Sequence, residues 1–134
     1  MAKWADLSNI IIKRKDEDMI NETDIEAMAW DSDFQWFQEE CLKTAIYPKQ
    51  QGLAYTALGL ASEAGEYAGK IKKGIRDGTF DDKAAAAELG DVLWYVATAA
   101  HELGYDLDEL AHGVVKKLRD RANRGVIKGS GDNR

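Results

Sequence analysis

Two pairs of acidic residues, Glu63 with Glu66 and Glu88 with Asp91, are spaced so that each can act as one cluster of oxygens. In an α-helix, positions three apart are offset by only about 60 degrees, so each pair shares a helix face. Like charges at that spacing weaken a helix by about 0.2 to 0.5 kcal/mol, so two such pairs on neighbouring helices suggest a compensating cation. Carboxylates with no His or Cys among them suit the hard ions magnesium and manganese. Magnesium usually binds through few protein oxygens plus substrate phosphates, which points to nucleotide chemistry. Lys70 and Lys73 continue the row of Glu63. Together with Arg76 they also read as cations compensating the dipole at a helix C-terminus.

Four helices are expected to position these groups. The first runs from about Asp33, a plausible N-cap, to Ile46, with Pro48 just beyond. The second runs from about Gly52 to Arg76, with an apolar stripe of Leu53, Ala57, Leu60, Ala64, Tyr67, Ile71 and Ile75. Gly78 stops it, and the loop from Asp77 to Phe80 is short enough to force an antiparallel return. Asp81 or Asp82 can cap the third helix, which extends to about Leu103 with the stripe Leu89, Val92, Leu93, Val96, Ala100 and Leu103. Gly104 closes it, and Asp106 can cap a fourth helix through about Asn123. The hairpin about Gly78 then faces the Glu63 turn towards the Glu88 turn. Close approach is also expected between Gly59, Ala61, Ala64, Gly65, Ala68 and Gly69 on one helix and Ala84 to Ala87, Gly90, Ala97, Ala99 and Ala100 on the other.

The chain divides into an arm over residues 1–32, a helical domain over 33–124 and a basic tail over 125–134 whose glycines mark a loose end. With 134 residues, 45% of them hydrophobic, one core is the expectation. A net charge of −6 argues against a nucleic-acid binder. From Lys116 onward seven Lys or Arg stand against two Asp, a net of +5, leaving the first 115 residues at −11. The lone Cys41 excludes an intrachain disulfide, fits a reducing compartment and reads as a packing residue. Neither a secretory signal nor an apolar run long enough to span a bilayer is visible, so a cytoplasmic protein without a membrane partner is expected.

The segments GLASEAGEYAGKIKKGIRDG and AAELGDVLWYV resemble the ExxE and ExxD signature of the MazG-like all-α nucleoside triphosphate pyrophosphohydrolases, over about Phe34 to Leu118. The ending RGVIKGSGDNR is similar to the tail of small phage-encoded members. The resemblance implies a four-helix bundle-like fold, a homodimer or homotetramer, and cleavage of a nucleoside triphosphate to the monophosphate and pyrophosphate. It implies magnesium or manganese bound by Glu63, Glu66, Glu88 and Asp91, with Glu63 or Glu66 as base and Lys70, Lys73 and Arg76 on the phosphates. Deoxynucleotides, dGTP first, are the expected substrates of a phage-type member. Many members carry an Asn where this chain has Val114, three residues before Lys117. Lys117, Arg121, Arg124 and Lys128 could grip phosphate in its stead, although a solvated helix end explains them equally. Trp36, Phe37, Tyr55 and Tyr95 are candidate stacking surfaces for the base.

Two other classes compete. Glu109 with His112 forms one Glu-x-x-His pair of the kind that holds two irons in a helical bundle, but His101 has no Glu three residues before it. A non-enzymatic helical interaction protein would carry the same acids for solubility alone and show no metal dependence.

Overall fold

The computed structural model describes residues 33–128, and these are all helix, turn and loop. The expected arm over 1–32 and residues 129–134 of the tail lie outside the described residues. Helix α1 spans Asp33–Lys43, a 3-10 turn covers Lys49–Gln51, and α2, α3 and α4 span Gly52–Asp77, Asp82–Glu102 and Leu107–Asn123. Among the described residues no helix is long and apolar enough to cross a membrane.

Local chemistry accounts for most of these ends. Gly78 takes the left-handed conformation, with φ 67°, that ends α2 and turns the chain back. Asp81 lies just outside α3 and accepts a hydrogen bond from the Ala84 amide at 2.9 Å, so it is the cap and Asp82 the first helical residue. Asp106 and Glu109 form a reciprocal capping box at the start of α4. At the far end Gly125, with φ 68°, donates to Ala122 and Val126 donates to the Arg121 carbonyl at 2.9 Å, a Schellman closure. The expected loose end therefore begins with a closed helix terminus.

Helix α1 stops three residues short of the expected Ile46. The Thr44 hydroxyl donates to the Cys41 carbonyl at 2.9 Å and accepts the Trp94 indole N–H at 2.8 Å, which ties the chain down where the helix would continue. Ile46 is left 94% exposed.

Helices α2 and α3 form the most extensive pairing, and α1 and α4 pack on α3. The core gathers Cys41, Ala97 and Leu107, with Phe34, Phe37, Trp94 and Val96 against them. Burial raises the pKa of the Cys41 thiol, as befits a passive packing residue. Buried Gln38 fastens three elements, donating to the carbonyls of Ala97 at 3.0 Å and Tyr105 at 3.2 Å and accepting from the Leu107 amide at 3.0 Å.

Two expectations about faces are corrected. Leu53, Ala57, Ala64 and Ile75 of the α2 stripe and Leu89, Leu93 and Leu103 of the α3 stripe are exposed, while Leu60, Tyr67, Ile71, Val92 and Val96 are half-buried. The small residues divide likewise. Gly59 meets the Tyr95 ring and Ala85, Ala97 and Ala100 are buried, whereas nothing lies within 4 Å of a Cβ built on Gly65, Gly69 or Gly90. The reason is rotation about the helix axis. Gly59, four residues before Glu63, shares its face, while Gly65, two residues after it, points about 200 degrees away.

Candidate metal centre

Glu63 comes from the middle of α2 and Glu88 and Asp91 from the first half of α3, brought opposite one another by the turn at Gly78. One carboxylate oxygen from each lies within 4.8 Å of the other two. Glu63 and Glu88 are half-buried and Asp91 is exposed, so the group opens to solvent on one side. Partial desolvation raises the pKa of Glu63 above the usual range. The charges of Glu66, then Asp91, then Glu88 push it the same way. A cation placed among these oxygens would relieve that repulsion. Glu66 is exposed and stands outside the close group of three, one turn along α2. The donor set is hard oxygen throughout and can hold a divalent ion such as magnesium or manganese.

Of the expected phosphate-binding cations, Lys70 reaches this group and pairs with Glu88 at 3.2 Å. Lys73 lies on the exposed side of α2, close enough to Asp77 to help lower that residue's pKa. Arg76 is turned away, donating to both carboxylate oxygens of neighbouring Asp77 at 2.5 and 2.7 Å. Arg124 pairs with Asp120 at 2.7 Å, and Arg121 is 6% exposed, so its guanidinium is withdrawn from solvent. Lys117 and Lys128 remain on the surface, as does Val114.

Tyr95 is the expected aromatic that lies beside the carboxylates. Desolvation raises its pKa first, followed by its hydrogen bond with Tyr55 and the charges of Tyr55, Glu63 and Asp91. It belongs to a wall of four rings. Trp94 meets Tyr95 edge-on at 4.9 Å between centroids, Tyr55 lies 6.3 Å from Tyr95, and Tyr47 stacks on Tyr55 at 5.1 Å. Tyr47 carries no signal in the sequence, because it sits in a loop where no periodicity marks its partners. Its hydroxyl donates to Glu102 at 2.7 Å. Trp36 and Phe37 lie elsewhere, lining an open groove of about 450 Å³ with Asp33, Phe34 and Leu93.

Glu109 of the di-iron alternative is exposed, accepts the Asp106 amide at 3.1 Å within the capping box, and stands outside the group of Glu63, Glu88 and Asp91.

Comparison with known proteins carries the chain beyond geometry. The family described as the MazG nucleotide pyrophosphohydrolase domain matches residues 51–126, which takes in both acidic pairs. The chain belongs to that family. A relative from Mycobacterium phage L5, named only Gene 37 protein, is 44% identical over 109 residues, covering 73% of this chain and 96% of the relative. This MazG domain therefore has a phage-encoded counterpart, in keeping with the phage-type ending of its sequence. No solved structure matches the chain.

Proposed function

We propose that this MazG-family chain hydrolyses a nucleoside triphosphate to the monophosphate and pyrophosphate. Glu63, Glu66, Glu88 and Asp91 would hold a divalent ion. The observation that carries this reading is the meeting of Glu63, Glu88 and Asp91 from two antiparallel helices inside the matched segment. When bound, magnesium or manganese supplies Lewis-acid chemistry, drawing charge from phosphate oxygens and acidifying water.

The chain's own groups divide the remaining work. Glu63, which faces Glu88 and Asp91 across the hairpin, is the proposed acceptor of the attacking water's proton, with Glu66 one turn away as the other candidate. Lys70 beside the carboxylates, and Lys73 further along α2, would offset the charge that develops on the phosphates, and surface Lys117 and Lys128 can approach the outer phosphate. Tyr95 and Tyr55 offer the base a stacking surface beside the carboxylates.

Deoxynucleotides, dGTP first, are the proposed substrates. A pocket that packs carbon against the ribose 2′ position would strand a ribonucleotide hydroxyl at about 1 to 3 kcal/mol, roughly a five- to hundred-fold preference. The working form is a homodimer or homotetramer in the cytoplasm, without nucleic-acid or membrane partners. Incubation of the full chain with each common NTP and dNTP, with magnesium or manganese and with chelator, tests the reaction. Monophosphate and pyrophosphate are expected only with metal. Orthophosphate as the product, or no turnover of any triphosphate, overturns it. A ratio of kcat/KM for dGTP over GTP at or below one refutes the deoxy preference.

A further inference from the structure

Lys70 does something other than wait for phosphate. It lies seven residues after Glu63 and four after Glu66, on the same face of α2, and its ammonium pairs across the hairpin with Glu88 at 3.2 Å. The Glu88 side chain is only 13% exposed and the Lys70 side chain 37%, so the pair closes one flank of the carboxylate group. Among the described residues, neither Lys72 nor Lys73 makes an ion pair with that group. The cluster thus carries a cation from its own chain on one of the carboxylates that the metal reading needs.

Building on that reading, we propose that Lys70 is a positioning residue and resident counter-cation. It holds Glu88 in place while the carboxylates lack a divalent ion, and it must give up Glu88 when such an ion arrives. Two effects oppose each other when the ammonium is removed. A unit positive charge a few ångström from a divalent ion repels it by an amount that corresponds, even at the dielectric of water, to on the order of tenfold in binding. Freeing a Glu side chain entirely costs on the order of tenfold, and Glu88, only 13% exposed, regains a fraction of that freedom. The charge wins. Lys70 therefore weakens binding of the bare ion while stabilising the ion-free fold. A nucleotide's phosphates then supply the anion to which the displaced ammonium turns, which favours joint binding of metal and substrate.

The test is calorimetric titration of the full chain with Mn²⁺ alone, beside thermal melting in chelator, for the unaltered protein, Lys70→Gln, Lys70→Arg and Lys72→Gln. Lys70→Gln should bind Mn²⁺ about threefold or more tighter and melt at a lower temperature in chelator. Lys70→Arg, which keeps the charge, and Lys72→Gln, which removes an exposed charge outside the cluster, should stay close to the unaltered protein in both measurements. A purely structural role would lower the melting temperature without tightening Mn²⁺. Unchanged or weaker Mn²⁺ binding by Lys70→Gln, or equal tightening by Lys72→Gln, overturns this proposal alone. Absence of any Mn²⁺ binding by the unaltered chain overturns the metal reading and this proposal with it. If Lys70→Gln fails to fold, Lys70→Met takes its place, with the same outcomes deciding.

Discussion

Gly59 lies directly beneath the phenol ring of Tyr95, so close that a Cβ built on it would stand 2.0 Å from the ring's Cε1. The contact joins α2 to α3 one turn before Glu63 and one turn after Asp91, so the approach that seats the aromatic also sets the spacing of the carboxylates.

Substituting Gly59 should therefore cost stability although alanine is the better helix former. Gly59→Ala gains about 1 kcal/mol of helix propensity but displaces a rigid ring, an overpacking that costs typically 1 to 3 kcal/mol. Gly65→Ala meets no atom within 4 Å and should raise stability by about 0.5 to 1 kcal/mol. Urea unfolding of both variants is the measurement. A stabilised Gly59→Ala contradicts the packing, and a destabilised Gly65→Ala means that something else covers that face.

Neutralising the carboxylates should separate function from folding. Glu63→Gln and Asp91→Asn keep side-chain shape and lose the anionic oxygen, so turnover should fall at least about 100-fold with helicity intact. Without metal, both should melt at the same or a higher temperature, because each relieves the repulsion that raises the Glu63 pKa. Wild-type turnover refutes the site, and a clear loss of stability in chelator would give these acids a structural role instead.

How much of this was legible beforehand follows from the range of each interaction. The caps at Asp81 and Asp106 and the stop at Gly78 act within a few residues, and sequence located them closely. The meeting of Glu63 with Glu88 and Asp91 follows from a short turn between regular helices. Helix rotation is harder, because the glycines of α2 look like one small-residue face in sequence while Gly59 and Gly65 point in different directions. Contacts between distant residues were invisible. Nothing local in Gln38 announces hydrogen bonds to residues 59 and 69 positions away, and nothing in Lys70 names Glu88 as its partner.

Self-association is expected from what the described residues leave uncovered. Leu58 is 73% exposed and Leu53 50%, and Leu110, Val114 and Leu118 line one side of α4 in solvent. Apolar rows left in solvent in this way offer a surface for a second copy of the chain. Light scattering should give a multiple of 14.9 kDa. Leu58→Asp should lower it. A monomer mass at working concentration removes the idea.

The last prediction concerns alkaline pH and the far end of the aromatic wall. Tyr47 donates its hydroxyl to Glu102 at 2.7 Å, and its pKa is pushed up to about 12, by burial first and then by the hydrogen bond and charge of Glu102. The folded chain thus holds this proton more tightly than the unfolded chain, where a tyrosine ionises near 10. Stability from this source is fully present below about pH 10 and is lost as pH rises through about 12. Tyr47→Phe preserves the ring stacked on Tyr55 and removes only the hydroxyl, leaving a carboxylate without its donor at about 1 to 3 kcal/mol. The variant should melt several degrees below the unaltered protein at pH 8. That gap should narrow steadily between about pH 10 and 12, because only the unaltered chain has this proton to lose. Other tyrosines contribute to both proteins and drop out of the difference. Melting curves across that window, with tyrosinate absorbance followed in parallel, decide the matter. A gap that stays constant or widens means that the Glu102 bond does not hold the phenol neutral.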